Sequence, residues 1–442
     1  MLQSLIMGKL PKMTKSTLKK EGTKPMPEKS LTYDNMDIIR LGNKIVLPVG
    51  MSIEEGLVWL RRKQLEEDQD VAINREFDAF ALDGAAALAR AIATKYGWAG
   101  MKPTPGFFGS SPPKMIHVRL ADKTTIEVPW GRFTIPDIEG WIGVSINRRR
   151  DNMPRFTMTG VVKQRDRHKV VELGDLTAEE LRERSIYRGN AMRFSFPEDE
   201  DEDSFDPTIS PEFLEVDRID PDDLVLSQDV QEIVETTLFT PIRFTDRLRA
   251  QQIPLKRGIL LEGPYGVGKT LLAYVTAHYA VANGWTYLYA NVRELRQAIE
   301  FALQYEPAIV FAEDLDQILG DIHRRDEAIN SILNTIDGVQ VKGREIMVVL
   351  TTNHVERINK AMLRPGRLDT VITIAPPDAE AATRLVRLYG REQIPLELDL
   401  TSIGQQLKGQ IPAVIREVVE RSKLGAIARG DIPFLTEQDL EV

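Results

Sequence analysis

The chain has 442 residues, 42% hydrophobic and 28% charged, with a formal net charge of −9 and no cysteine. That length allows two or three domains, each with its own core, and the composition is that of a globular protein. Disulfides, thiolate metal sites and cysteine nucleophiles are excluded, and an acidic balance argues against a surface that coats nucleic acid generally. The five histidines (His117, His168, His278, His323, His354) are scattered without ligand spacing, which argues against a zinc site. The apolar Leu2–Met7 stretch is too short for a signal peptide, and no apolar run reaches membrane-spanning length. These features predict a soluble cytoplasmic protein with no membrane partner.

Residues 1–30 carry Lys9, Lys12, Lys15, Lys19, Lys20, Lys24 and Lys29 among prolines and glycine, a composition that predicts a disordered basic tail. A solvated tail is the simpler reading, and contact with nucleic acid or an acidic partner is the other. Residues 31–197 read as a mixed α/β domain. Ser52-Ile53-Glu54-Glu55 is a capping-box start for a helix carrying Leu57, Trp59 and Leu60. Phe77, Phe80, Ala81, Leu88 and Ile92 then recur at helical spacing up to Gly97. The alternating runs Ile116–Leu120 and Thr124–Val128 flank a short turn and predict a hairpin. Further strands are expected at Trp141–Ile146, Phe156–Lys163 and Met192–Phe196, with a short helix opened by Thr177-Ala178-Glu179-Glu180 between the last two. The acidic run Glu198–Asp203 repels itself, so 198–223 reads as an extended linker, with an acidic lure for a basic partner as the competing idea.

From residue 224, apolar strands near Ile259–Leu261, Thr286–Ala290, Ile309–Ala312, Ile346–Thr351 and Val371–Ile374 alternate with helical stretches. This pattern predicts an α/β fold over 224–375, a parallel sheet with helices on both faces. Past Pro376-Pro377 the pattern is helical apart from breaks near Gly404 and Pro412, so 376–442 should form a small helical lid. Directly after the first of these strands comes Gly263-Pro264-Tyr265-Gly266-Val267-Gly268-Lys269-Thr270, followed by Leu271. It fits the G-x-x-x-x-G-K-[ST] loop, whose glycines let backbone N–H groups cradle a polyphosphate at a helix N-terminus. Lys269 would reach the β- and γ-phosphates of ATP, and the Thr270 hydroxyl would ligate Mg²⁺. Ile309–Ala312 ends in Glu313-Asp314, then Asp316, where parallel sheets bind ligands. One carboxylate there can hold metal-bound water while its neighbour accepts a proton; acids favoured at a helix N-terminus are the structural alternative.

Residues from about 225 onward resemble an AAA ATPase module of the AAA+ superfamily. Leu260–Thr270 matches the Walker A strand and loop, Ile309–Asp316 resembles Walker B, and Val349–Asn353 is similar to the sensor 1 strand with Asn353 as its polar residue. Leu363–Asp369 looks like the arginine-finger segment, with Arg364 and Arg367. The resemblance implies a ring, usually hexameric, with ATP between subunits and the two arginines stabilising γ-phosphate charge. It gives Glu313 the metal-side role, Asp314 the water-activating role and Asn353 the orienting of the attacking water. Three departures stand out. The Walker B acids are Glu then Asp, and the shorter Asp314 predicts slow hydrolysis. The aromatic pore-loop segment is missing, because Tyr287–Ala290 runs almost directly into Asn291–Leu295. The lid stretch Lys408–Ile415 matches the family pattern only at Gly409 and Ala413, its expected nucleotide contacts.

Three functional readings follow. The leading one is an ATP-driven homo-oligomeric ring that remodels a protein client held by the N-terminal domain, without processive threading. A second is a nucleic-acid-directed ATPase, prompted by Arg148-Arg149-Arg150, Arg155, Lys163, Arg165, Arg167 and Lys169 near Phe156. A solvated hairpin face explains those charges better, since few aromatics accompany them. The third is a scaffold that assembles on ATP and scarcely hydrolyses it.

Overall fold

A computed structural model describes residues 39–41, 44–47, 50–97, 101–106, 109–148, 154–194, 211–316, 343–358, 368–430 and 435–440. The basic tail and the acidic run lie outside the described residues. The chain divides into two compact units, 1–66 and 67–442. The first holds the hairpin β1 (Ile39–Leu41) and β2 (Lys44–Val46), and most of helix α1 (Ile53–Glu67). The helix starts at a capping box: Ser52 N donates to Glu55 Oε2 at 2.8 Å and Glu55 N to Ser52 Oγ at 3.2 Å.

The second unit opens with β3 (Asp70–Phe80) and α2 (Ala81–Tyr96), then the small hairpin β4 (Thr104–Gly106) and β5 (Gly109–Ser111). Strands β6 (Lys114–Arg119), β7 (Thr125–Phe133), β8 (Gly140–Arg148) and β9 (Pro154–Lys163) form a meander, followed by α3 (Arg167–Glu183). With β3 they make an antiparallel sheet of order β3-β9-β8-β7-β6. Helices α2 and α3 pack together and against this sheet. The approach is close: a Cβ on Gly84 of α2 would fall 1.9 Å from Phe156, so only glycine lets the helix lie this near β9.

Two readings of this region are corrected. Phe77 and Phe80 belong to β3, and the helix begins at Ala81. A strand whose last residues are buried on both faces loses its alternation, so its end merges with the helical pattern that follows. Thr177 does not open a helix but lies inside α3, its hydroxyl donating to Leu173 O at 2.8 Å.

The remaining strands are β10 (Ala191–Phe194), β11 (Glu212–Phe213), β12 (Arg257–Glu262), β13 (Thr286–Asn291), β14 (Ala308–Glu313), β15 (Ile346–Thr352) and β16 (Thr370–Thr373). They build one sheet of order β11-β10-β13-β14-β15-β12-β16, parallel throughout except for the β10–β11 pair. Helices α4 (Lys269–Ala282) and α5 (Leu295–Ala302) connect its inner strands, and α6 (Ala379–Gly390), α7 (Thr401–Leu407) and α8 (Pro412–Arg429) form a helical cluster with its own core. Gly404 is not a break. It is buried within α7, where a Cβ would fall 2.1 Å from Thr383 Oγ1, so it marks a close helix crossing.

Strand β10, read from the sequence with the N-terminal strands, pairs instead with β13 of the ATPase-like sheet. One hydrophobic core accordingly runs from Phe133, Phe156 and Leu88 through Tyr187 to Leu288, Phe301 and Val310. At its centre Phe80, Tyr187, Phe301 and Tyr305 meet with ring centroids 4.9–5.8 Å apart. The Tyr305 hydroxyl accepts from Phe80 N at 2.9 Å. Asp83, fully buried, accepts from Ser185 Oγ at 2.7 Å and Ile186 N at 2.9 Å, and burial pushes its carboxyl above the ordinary range. Arg188 donates to Glu306 O at 2.6 Å and Gln304 O at 3.3 Å, a second tie across the same junction.

Because that core is continuous, Phe301→Ala should cost about 3–5 kcal/mol and destabilise both sheets in one transition. Denaturant unfolding followed by tryptophan fluorescence and far-UV circular dichroism checks this. Two separate transitions, only one of them shifted, would show that the sheets unfold independently.

Candidate active site

The parallel registers carry the carboxyl ends of β12, β14 and β15 to one edge of the sheet, where Glu262 lies opposite Thr352 and Asn291 opposite Glu313. Loops leaving this edge bring together residues far apart in sequence. The loop after β12 holds Gly263 at φ +152°, Gly266 at +79° and Gly268 at +107°, a region that L side chains rarely adopt. Gly263 is also enclosed, since a Cβ there would sit 2.2 Å from Ile374 O. At Gly268 a Cβ would meet no heavy atom within 4 Å. Val267 is buried and pins the loop to the core, whereas Pro264 and Tyr265 are exposed. Leu271 packs half-buried against the core under α4, and Thr270 is exposed in its first turn.

Lys269 is buried, and its ammonium has three acceptors: Gly263 O at 2.6 Å, Pro264 O at 2.8 Å and Asn353 Oδ1 at 2.8 Å. Burial lowers its pKa, while the charges of Asp314, Asp316 and Glu313 pull the other way. Asn353 in turn donates through Nδ2 to Asp316 Oδ2 at 3.0 Å and through its backbone N to the same oxygen at 2.8 Å. The other Asp316 oxygen accepts from Thr352 Oγ1 at 2.6 Å. These hydrogen bonds outweigh desolvation and hold the Asp316 carboxyl below its usual value. A continuous chain therefore runs from the glycine loop through Lys269 and Asn353 to Asp316.

Glu313 ends β14 and accepts from the Tyr289 hydroxyl of β13. Asp314 follows in the left-handed region at φ +59°, its N donating to Thr351 Oγ1 at 3.0 Å. Aspartate tolerates that conformation better than most residues, and it turns the chain sharply off the strand. The lid approaches the loop at Ile411, whose Cδ1 would lie 3.0 Å from a Cβ on Gly266. Gly409 is exposed at φ +80° with its N donating to Pro377 O at 2.9 Å, and Ala413 is exposed in the first turn of α8. Arg364 and Arg367 lie outside the described residues. Only Val292–Glu294 separates β13 from α5.

The oxygens of Thr270 and Glu313 are the donors a hard divalent cation takes, and the room at Gly268 suits an anion facing backbone N–H groups. Sequence reasoning missed Asp316, Thr352 and Ile411. Asp316 was visible as a third acid, but nothing in its spacing says that it turns toward the end of β15.

Residues 259–376 match the family described as ATPase family associated with various cellular activities (AAA). The chain carries an AAA domain. It is 28% identical over 236 residues to a 26S proteasome regulatory subunit 8 homolog from Schizosaccharomyces pombe, covering 49% of this chain and 57% of that one. It is likewise 28% identical over 226 residues to a cell division cycle protein 48 homolog from Archaeoglobus fulgidus, covering 47% and 30%. A proteasome-activating nucleotidase from Methanosphaerula palustris is 28% identical over 237 residues, covering 49% and 56%. The matched stretch thus spans little more than half of these relatives at most. Among the described residues no helix is long and apolar enough to cross a membrane.

The basic residues that suggested a nucleic-acid surface are largely paired. Arg155 meets Asp78 at 3.2 Å, Lys163 meets Asp70 at 2.8 Å, Lys169 meets Asp166 at 2.9 Å, and Arg165 contacts both Asp68 and Glu139. Arg149 and Arg150 lie outside the described residues. Paired charges project little net field for a phosphate backbone.

Gly263→Ala tests the loop geometry. The added Cβ meets a backbone oxygen and the required φ is strained, so stability should fall by more than about 1 kcal/mol. Denaturant unfolding checks it, and an unchanged midpoint would mean that the loop relaxes freely.

Proposed function

We propose that this chain is a ring-forming AAA ATPase that couples Mg-ATP binding and hydrolysis to the remodelling of a protein partner. The observation that carries this reading is the linked set Lys269, Asn353 and Asp316 beside Glu313 and Asp314, all at the carboxyl edge of one parallel sheet. In the proposed cycle the loop Gly263–Gly268 binds the phosphates through backbone N–H groups, and Lys269 exchanges its carbonyl acceptors for β- and γ-phosphate oxygens. Mg²⁺, held by Thr270 and Glu313, would neutralise charge on those phosphates. Asp314 accepts the proton of the attacking water, and Asn353, fixed by Asp316, orients that water. Aspartate is one methylene shorter than glutamate, so the base stands farther back and slow turnover is part of the proposal. Arg364 and Arg367 act from the neighbouring subunit of a homo-oligomer, most simply a hexamer, and Gly409 and Ala413 face the nucleotide from the lid.

The client-binding part is the N-terminal antiparallel sheet with α2 and α3, within residues 31–197. Two features support remodelling by subunit motion over processive threading. Val292–Glu294 leaves no room for a gripping loop between β13 and α5, and the N-terminal sheet shares a core with the ATPase sheet, so it moves with it. Relatives named as a proteasome regulatory subunit homolog and a proteasome-activating nucleotidase support action on proteins.

Lys269→Ala should abolish ATP binding, measured directly by calorimetry or with a fluorescent nucleotide. Wild-type affinity in that variant would sink the phosphate-loop reading. Asp314→Asn should keep ATP bound and lose turnover; if Glu313→Gln alone did so with metal affinity intact, the two acids would have each other's roles.

For the ring, Arg364→Ala and Arg367→Ala should each bind ATP normally and hydrolyse it poorly. Mixing either with Asp314→Asn, with dilution and reassembly to exchange subunits, should restore part of the activity. No recovery despite demonstrated co-assembly would place the arginines' action within their own subunit or away from phosphate.

A further inference from the structure

Behind Glu313 stands an aromatic assembly that the ATPase reading leaves unused. Tyr289, on β13, donates its hydroxyl to Glu313 Oε2. Its ring stacks on Tyr274 of α4, the helix that begins at Lys269, with centroids 5.8 Å apart and planes 20° from parallel. Arg193 of β10 closes the group. It sits opposite Tyr289 in the parallel register, places its guanidinium 5.5 Å over the Tyr289 ring, and donates to the Tyr274 hydroxyl at 3.4 Å. Two elements, the strand that carries the N-terminal sheet into the parallel sheet and the helix behind the phosphate loop, thus meet the Tyr289 ring of β13, whose hydroxyl alone reaches the carboxylate.

A free glutamate side chain has three rotors, and a carboxylate that is to meet a metal must be held in one of their arrangements. A hydroxyl donor on one oxygen does this while the other stays available. The donor must itself be fixed, and here the stacked ring and the guanidinium fix it. We propose that Tyr289 is a positioning residue that orients Glu313 toward the nucleotide-bound metal, and that Arg193 seats Tyr289, so that the β10 strand bears directly on the metal-side acid. The inference rests on the reading of Glu313 as the metal-side acid. It gives the N-terminal region a physical route to the nucleotide site: Arg193 of β10 holds the ring whose hydroxyl is bonded to Glu313.

The test is metal affinity rather than turnover. Full-length protein is loaded with a non-hydrolysable ATP analogue, titrated with Mn²⁺, and the free ion is followed by electron paramagnetic resonance. Tyr289→Phe keeps the ring and loses only the donor. It should bind the analogue in EDTA as wild type does and need about 10-fold more Mn²⁺ for half-saturation. Arg193→Gln should shift the same midpoint in the same direction by less, and Arg193→Lys should recover part of the loss because a cation still faces the ring. An unchanged midpoint in Tyr289→Phe, with Glu313→Gln strongly weakened, overturns the positioning role and leaves the metal-side reading of Glu313 intact. Unchanged Mn²⁺ binding in Glu313→Gln itself overturns that reading and the inference with it. A full effect of Tyr289→Phe with none from Arg193→Gln removes β10 from the chain of contacts.

Discussion

A buried ammonium beside a cluster of carboxylates is the constraint from which the rest of this site follows. Lys269 is taken out of water at the start of α4, a loss that only acceptors and opposite charge can offset. Two carbonyls of its own loop and the Asn353 amide provide the acceptors, while Asp314, Asp316 and Glu313 provide the charge. None of these could face the lysine unless β12, β14 and β15 ran parallel and ended at one edge. The sheet order is therefore part of the electrostatics, because a strand displaced by one place would leave a charge buried alone.

The same requirement explains why Asp316 is so heavily hydrogen-bonded. Three donors from Thr352 and Asn353 converge on its two oxygens and fix the end of β15 against the chain leaving β14. Asn353 then presents its amide oxygen to Lys269, so the acid acts through the amide on the lysine. Removing any member leaves another unpaired in a poorly hydrated place, which makes the set cooperative. Asp314 joins the set through its charge on Lys269 and its N–H on Thr351, from a left-handed backbone that turns it off the strand.

The N-terminal sheet does not hang from the parallel sheet by a tether. Its helix α2 sits over the segment that becomes β10, with the buried Asp83 bonded to Ser185 and Ile186, and the aromatic cluster around Tyr187 fills the junction. Strand β10 covers the edge of β13 that would otherwise expose unpaired backbone groups.

Local pattern made much of this legible. The glycine loop, the apolar strands and their terminal acids are contiguous features set by neighbours in sequence, so the loop after β12, the acids that end β14 and the C-terminal helices could be read directly. The capping box at Ser52 and the hairpin Ile116–Val128 were legible for the same reason. Other features were not. Phe77 and Phe80 sit on a strand whose final residues are buried on both sides, so their spacing imitates a helix. Gly404 looks like a break but is a crossing point, a distinction that only Thr383 on a neighbouring helix makes. Strand β10 joined the distant sheet because pairing depends on which edge lies within reach. The contacts that link Arg193 and Tyr274 to Tyr289, and Tyr289 to Glu313, join four separate elements, and nothing in their spacing announces them. The sequence by itself determined where the glycine loop, the apolar strands and their terminal acids fall, because those patterns are local. Only the tertiary structure decided which side chains hold them in place, because strand order and register, not sequence distance, set those neighbours.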